Sequence, residues 1–94
     1  MNTKLVRFRS GEDVICDLVS ETDTEITIGN ALVAVPQGQG QLGFAPWSPL
    51  AEEETQFTVP KDYTVYIVDA NPQITEQYEG LFSTVITPKK QLVL

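Results

Sequence analysis

A chain of 94 residues with one cysteine and no histidine is sized for one domain, holds no disulfide within itself, and lacks the imidazole ligands of an ordinary zinc site. Its formal net charge is −7, and no lysine or arginine occurs between Ser10 and Pro60. Nucleic-acid backbones and anionic membranes are both held through cations, so neither DNA nor a membrane surface is an expected partner.

Val6 and Phe8 alternate with Arg7 and Arg9, the period-two pattern of a half-buried strand. The acidic turn Ser10-Gly11-Glu12-Asp13 follows, and then Val14, Cys16 and Leu18 form an inward set opposite Ile15, Asp17 and Val19. Glu21 to Thr24 reads as a second turn, after which Ile26 and Ile28 alternate with Glu25 and Thr27. Gly29-Asn30 reads as a bend or bulge, because Ala31 to Val35 resumes β-favouring residues. The first third of the chain is thus a three-stranded meander.

Pro36 opens a stretch expected to be a long insertion loop over about 36–56: a glycine- and glutamine-rich run, the proline-stiffened FAPWSP, and the acidic AEEE. A loop that long in so small a domain is usually functional or docked. Phe44, Trp47 and Leu50 are costly to leave in water, so they are assigned to subunit or partner contacts. Phe57 to Val59 is a short strand, and Tyr63 to Ala70 the strongest strand of the second half, with Tyr63, Val65 and Ile67 as further contact candidates. Asn71 followed by Pro72 is a helix start. Ile74, Tyr78, Leu81, Phe82 and Val85 then share one helical stripe, which predicts a helix over 72–85 despite Gly80. Thr87-Pro88 ends it, and Gln91 to Leu94 is a candidate last strand.

Sites of chemistry are scarce. Gly38, Gly40 and Gly43 spell the dinucleotide-binding fingerprint, but Pro46 and Pro49 stand where its helix is required. Asp17 lies roughly 13 Å along the strand from the Glu12–Asp13 turn, too far for shared ligation. Cys16 sits in an apolar alternation and reads as a buried, reduced thiol. No catalytic residue, metal ligand or cofactor is assigned, and no enzyme is expected. Tyr63, Tyr66 and Tyr78 read as packing or interface residues. Met1 to Lys4 leads straight into a strand pattern and no apolar run is of membrane-spanning length, so a soluble, cytoplasmic protein is expected.

The segment VRFRSGEDVICDLVSETDTEIT resembles the first motif of the Sm and Sm-like family. Gly11 and Leu18 fill its glycine and leucine positions, Val6, Phe8 and Val14 its apolar ones, and Cys16 takes the place of its second glycine. Asp23 falls one residue late. The family's second motif, an apolar run before arginine-glycine, is echoed by Val65, Ile67 and Val68 before Asp69-Ala70. The whole chain, LGFAPWSP included, also resembles small proteins encoded by phages of marine cyanobacteria.

The Sm resemblance implies a single mostly-β domain over 1–94: an SH3-like, strongly bent five-stranded barrel, here with one helix near the C-terminal end. It further implies a homo-oligomeric ring of about five to seven copies, closed by edge pairing between neighbours. The family's RNA contacts would fall at Thr27, Asp69 and Asn71, with Arg7 and Arg9 on another face. Thr27 lacks an asparagine's paired donor and acceptor, and Asp69 would repel phosphate. The expected function is therefore a non-enzymatic scaffold or adaptor ring; the alternative is an RNA-binding ring.

Overall fold

The computed structural model describes residues 1–39 and 41–83. Six strands run in chain order: β1 (Thr3–Phe8), β2 (Asp13–Glu21), β3 (Glu25–Gly38), β4 (Gln41–Pro46), β5 (Phe57–Pro60) and β6 (Thr64–Val68). A single 3-10 turn, Lys61–Tyr63, joins β5 to β6, and one helix, α1 (Pro72–Ser83), follows. All the strands lie in one antiparallel sheet of order β4-β3-β2-β1-β6, with β5 also on β3. Among the described residues the sheet is open: its last strands, β6 on one side and β4 and β5 on the other, do not pair with each other.

The meander follows from local chemistry. Gly11 turns the β1–β2 hairpin at φ 97°, a backbone region that glycine enters without steric cost, and its amide donates to the Phe8 carbonyl. In the β2–β3 turn the Thr22 hydroxyl accepts from the Thr24 and Glu25 amides, a side chain standing in for backbone. The bulge expected at Gly29-Asn30 is present. Ile15 pairs with Leu32 while Asp17 pairs with Gly29, so β3 carries an extra residue there, and Asn30 takes a positive φ of 49°. A second shift between Leu18 and Ser20 puts an extra residue in β2. Each bulge bends the sheet, so that β3 offers one half of its length to β5 (Glu25–Ile28) and the other to β4 (Leu32–Gly38).

The concave side holds the core: Val6, Phe8, Val14, Cys16, Leu18, Ile26, Ile28 and Val59, with Trp47, Phe57 and Ile67 packed against them. The inward alternation Val6/Phe8 and Val14/Cys16/Leu18 is as the sequence predicts. Ile15, expected opposite that set, is also buried, and so is Tyr78 of α1; both lie outside the main cluster. The Tyr78 ring meets Phe44 of β4 and Phe82 edge-on, and its hydroxyl donates to the Asn30 carbonyl at 2.7 Å. The helix therefore packs over the β3–β4 side of the sheet.

Two expectations are corrected. Residues 36–56 are not one loop: β3 runs on through Pro36 to Gly38, and β4 returns along it, so the sheet has six strands rather than five. The prolines that argued for a loop occupy positions where no ladder amide is needed. Trp47 donates to Ala31, and the alternation of an antiparallel ladder then makes Ala45–Val33 and Gly43–Val35 the hydrogen-bonded pairs. Pro46 opposite Leu32 and Pro36 opposite Leu42 fall in the intervening pairs, where an amide would point away. The connecting loop proper is residues 47–56. The helix expected over 72–85 is described to Ser83; Val85 and the candidate strand Gln91–Leu94 lie outside the described residues.

Candidate functional surface

An aromatic cap closes one end of the core. Phe8 stacks on Trp47 with ring centroids 5.0 Å apart and planes 10° from parallel, and it meets Tyr63 at 5.5 Å; Phe57 stands edge-on to Trp47 at 5.3 Å. The indole N–H of Trp47 donates to a Glu12 carboxylate oxygen at 3.1 Å. The acidic turn between β1 and β2 thus has a structural task. Gly11 supplies the bend, and Glu12 pins an indole thirty-five positions away. No spacing rule in a sequence links residues so far apart, so the sequence shows Glu12 as part of an acidic turn and not as the partner of Trp47.

The six contact candidates divide accordingly. Phe44 and Trp47 are engaged within their own chain, against Tyr78 and Phe8. Ile67 packs on the core from β6. Tyr63 is shared between Phe8 and solvent. Leu50 stands 99% exposed in the connecting loop, and Val65 is 59% exposed on β6. Only these last two, with Val68 at the end of β6, present substantial apolar surface at a contact position.

Among the described residues β6 pairs with β1 alone, and β4 and β5 pair with β3 alone. Two opposite borders of the sheet therefore carry outward-facing amides and carbonyls. Neither β6 (TVYIV) nor β4 (QLGFAP) holds a charged residue, although charges are the usual guard of an exposed strand. A register shift, Arg7 to Tyr66 but Phe8 to Thr64, makes Val65 the extra residue of a bulge in β6 and turns its side chain outward.

The five candidate RNA contacts are dispersed, and the side chains of four of them are engaged within the chain. Asp13 accepts from Arg7 Nε at 3.0 Å, from Arg7 Nη2 at 2.7 Å and from the Tyr66 hydroxyl at 3.0 Å, a forked ion pair across β1 and β2 with Tyr66 as third member. Asp13 above all, then Tyr66, raises the Arg7 guanidinium above its ordinary pKa. Arg9 is exposed beside the turn. Thr27 shares a hydroxyl hydrogen bond of 3.0 Å with Thr58 of β5. Asp69 holds Lys4 at 2.6 Å, and Asn71 caps α1 by accepting from the Gln73 amide. Thr27 stands two strands from Arg7 and is displaced along the sheet as well, because Arg7 lies opposite Asp13 while Thr27 lies opposite Ser20.

Two open cavities among the described residues are acidic. One, of about 420 Å³, lies between the β2–β3 turn and the 3-10 turn, lined by Asp23, Thr24, Glu25, Pro60, Lys61 and Asp62. Its lone cation is bound to Glu21 at 2.6 Å and to the Thr22 carbonyl. The other, of about 480 Å³, carries Asp69, Glu76 and Glu79 below the start of α1. Neither offers an anion a free positive charge. No three potential ligands gather to hold a metal ion among the described residues.

Buried in the core cluster, Cys16 has its thiol pKa pushed up to about 12, first by burial and then by the charge of Asp17. Its Sγ lies 3.7 Å from the Lys4 carbonyl, as a weak donor. Burial likewise raises the Tyr78 hydroxyl. Both are packing groups in their neutral forms. No helix among the described residues is long and apolar enough to cross a membrane. No protein-family model matches the chain, and a search of curated proteins gives no significant match.

Proposed function

We propose that this chain is the repeating subunit of a closed homomeric ring, and that the ring serves as a non-enzymatic scaffold or adaptor. The single observation that carries the reading is the pair of uncharged, unpaired borders at opposite ends of one bent sheet. Borders at opposite ends that complement each other make a head-to-tail contact, and head-to-tail contacts close into rings when the rotation permits. In this reading β6 of one copy lies along the outer edge of β5 of the next, five residues against four. Val65 and Val68 lose their water in the process, and the β6 bulge fixes the register. The topology supports the bent small barrel of the Sm resemblance: β5 and β6 bracket the core and are joined by one 3-10 turn.

The acidic cavities and the occupied Arg7 favour a protein scaffold over RNA binding. Light scattering at micromolar concentration tests the assembly: the expected mass is a small multiple of the 10.4 kDa chain. Val68→Lys, which puts a charge on the β6 border, should return a folded monomer. A wild-type mass equal to one chain sinks the reading. Titration with labelled oligo-U and oligo-A at low and high salt decides between the two functions, since tight, salt-sensitive binding would favour the RNA ring.

A further inference from the structure

The ring of the preceding reading uses β5 and β6, and among the described residues nothing pairs with the outer edge of β4. The ladder alternation that turns Ala45 and Gly43 toward β3 turns the amides and carbonyls of Leu42 and Phe44 outward. Pro46 ends the row of donors because it has no amide to offer. The outward groups therefore stand symmetrically about Gly43. Leu42 is exposed, and it shares a face with Phe44, whose ring rests against Tyr78 of α1. No charged residue occurs from Ile26 to Ala51.

We propose that a second copy of this chain pairs antiparallel with the outer edge of β4, about a two-fold axis at Gly43. Three observations point to an identical strand as the occupant. After rotation about Gly43, Leu42 of each copy falls opposite Phe44 of the other, and each such pair exchanges both of its backbone hydrogen bonds. A register moved toward the connecting loop would set Leu42 against Pro46 and leave the Leu42 carbonyl without a donor. The same rotation keeps Leu42 and Phe44 on one face, so they form an apolar pair across the new seam. The residue on the axis falls in a pair without hydrogen bonds, where Cα atoms approach to about 4.5 Å. That residue is glycine, and the Gln37 side chain lies across it, 2.5 Å from where a Cβ would stand. Charge supplies the third argument. Each copy carries a net −7, and the uncharged limbs of the β3–β4 hairpin let identical copies touch without setting like charges face to face.

The contact needs β4 alone and stands whether or not β5 and β6 close a ring. It is small beside the roughly 1,000 Å² that a stable interface clears, so isolated copies pair only at high concentration. The Val68→Lys chain thus stays monomeric at micromolar concentration and pairs through β4 toward about 1 mM. A ring carries one such border per copy, and the contact joins one ring to another.

Disulfide trapping tests the proposal. Gly43→Cys is made together with Gln37→Ala, which clears the space beside residue 43, and Cys16 is buried and does not compete. The pair on the axis has the Cα spacing that a disulfide requires. Under mild oxidation, in both the wild-type and the Val68→Lys backgrounds, the linked dimer should form at least about tenfold faster than in a Leu50→Cys control. Leu50 is fully exposed, so that control reports random collision. Adding Leu42→Pro removes an outward amide that β3 does not use, and should slow trapping at least about tenfold without shifting the urea midpoint. In the Val68→Lys chain, amide exchange at Leu42 and Phe44 should slow as concentration rises toward about 1 mM, with β1 and β2 unchanged. Equal trapping rates at residues 43 and 50, or trapping indifferent to Leu42→Pro, overturns the proposal. Slow exchange at Leu42 and Phe44 at every concentration also overturns it, because the edge would then be covered within its own chain. The wild-type mass tests the ring separately, so failure of one reading is distinguishable from failure of the other.

Discussion

Cys16 illustrates how burial decides what a reactive atom does. A thiolate is the nucleophile, and in the folded chain the apolar core and the neighbouring Asp17 hold the proton on sulfur until about pH 12, against an ordinary value of 9.0. Alkylation by a thiol reagent at pH 8 should therefore run about a hundredfold or more slower in the native protein than in denaturant. The linkage sign follows from the same shift. The folded pKa is raised, so the contribution is fully present below about pH 9 and is lost as the pH rises toward about 12. Cys16→Ala should flatten the alkaline limb of the stability curve measured by urea titration; an unchanged limb would show that the buried thiol does not drive it.

Trp47 shows the same dependence on neighbours. Its ring is clamped between Phe8 and Phe57 while Glu12 takes its N–H, so the segment after β4 is tied to the β1–β2 turn. Trp47→Ala should cost about 2–3 kcal/mol in urea unfolding, below the range for a fully buried indole because this one is half-buried. Trp47→Phe keeps the stacking and drops only the exposed hydrogen bond, at about 1 kcal/mol or less. If the two variants unfolded at the same urea concentration, the stack would not be the source of the stability.

At the scale of elements, α1 rests on local signals and one distant contact. Asn71 accepts from the Gln73 amide at 2.8 Å and Pro72 occupies the first helical position. Asn71→Ala should therefore lower stability by about 1 kcal/mol, seen as an earlier loss of far-UV helical signal on heating. The same alanine would leave any edge pairing untouched, so an unaltered assembly mass with reduced helix stability is the expected pattern.

The helix was legible because its stripe of Ile74, Tyr78, Leu81 and Phe82 has the helical period and its cap is adjacent in sequence. The meander was legible for the same reason: period-two alternation and turn residues are local. The strand β4 was not, because Pro36, Pro46 and the run of glycines are loop signals unless the ladder phase is known. That phase is set by the Trp47-to-Ala31 hydrogen bond, which no window of sequence contains. The surface was missed in a related way. Phe44 and Trp47 are apolar residues in a suspected loop, and only the fold shows that Tyr78 and Phe8 already occupy them, leaving Val65, Val68 and Leu50 exposed.

At the scale of the molecule, the net charge of −7 opposes any assembly of identical copies, since each added subunit brings the same sign. The proposed edge pairing between β5 and β6 would bury backbone and valine and use no ion pair, so the repulsion would act on it unrelieved at low salt. The Debye length falls from about 10 Å at 0.1 M to about 3 Å at 1 M ionic strength, which removes the repulsion while leaving strand pairing and apolar burial in place. Association should accordingly tighten as salt rises, read as a shift of the light-scattering midpoint to lower protein concentration. Assembly that dissolves in salt would mean that the contact is made by charge pairs, with Lys4, Arg9 or Lys61 reaching a neighbour's carboxylates, and the uncharged borders would lose their role. The opposite dependence also separates self-assembly from RNA capture in one titration, because phosphate binding by any basic patch weakens steeply over the same range.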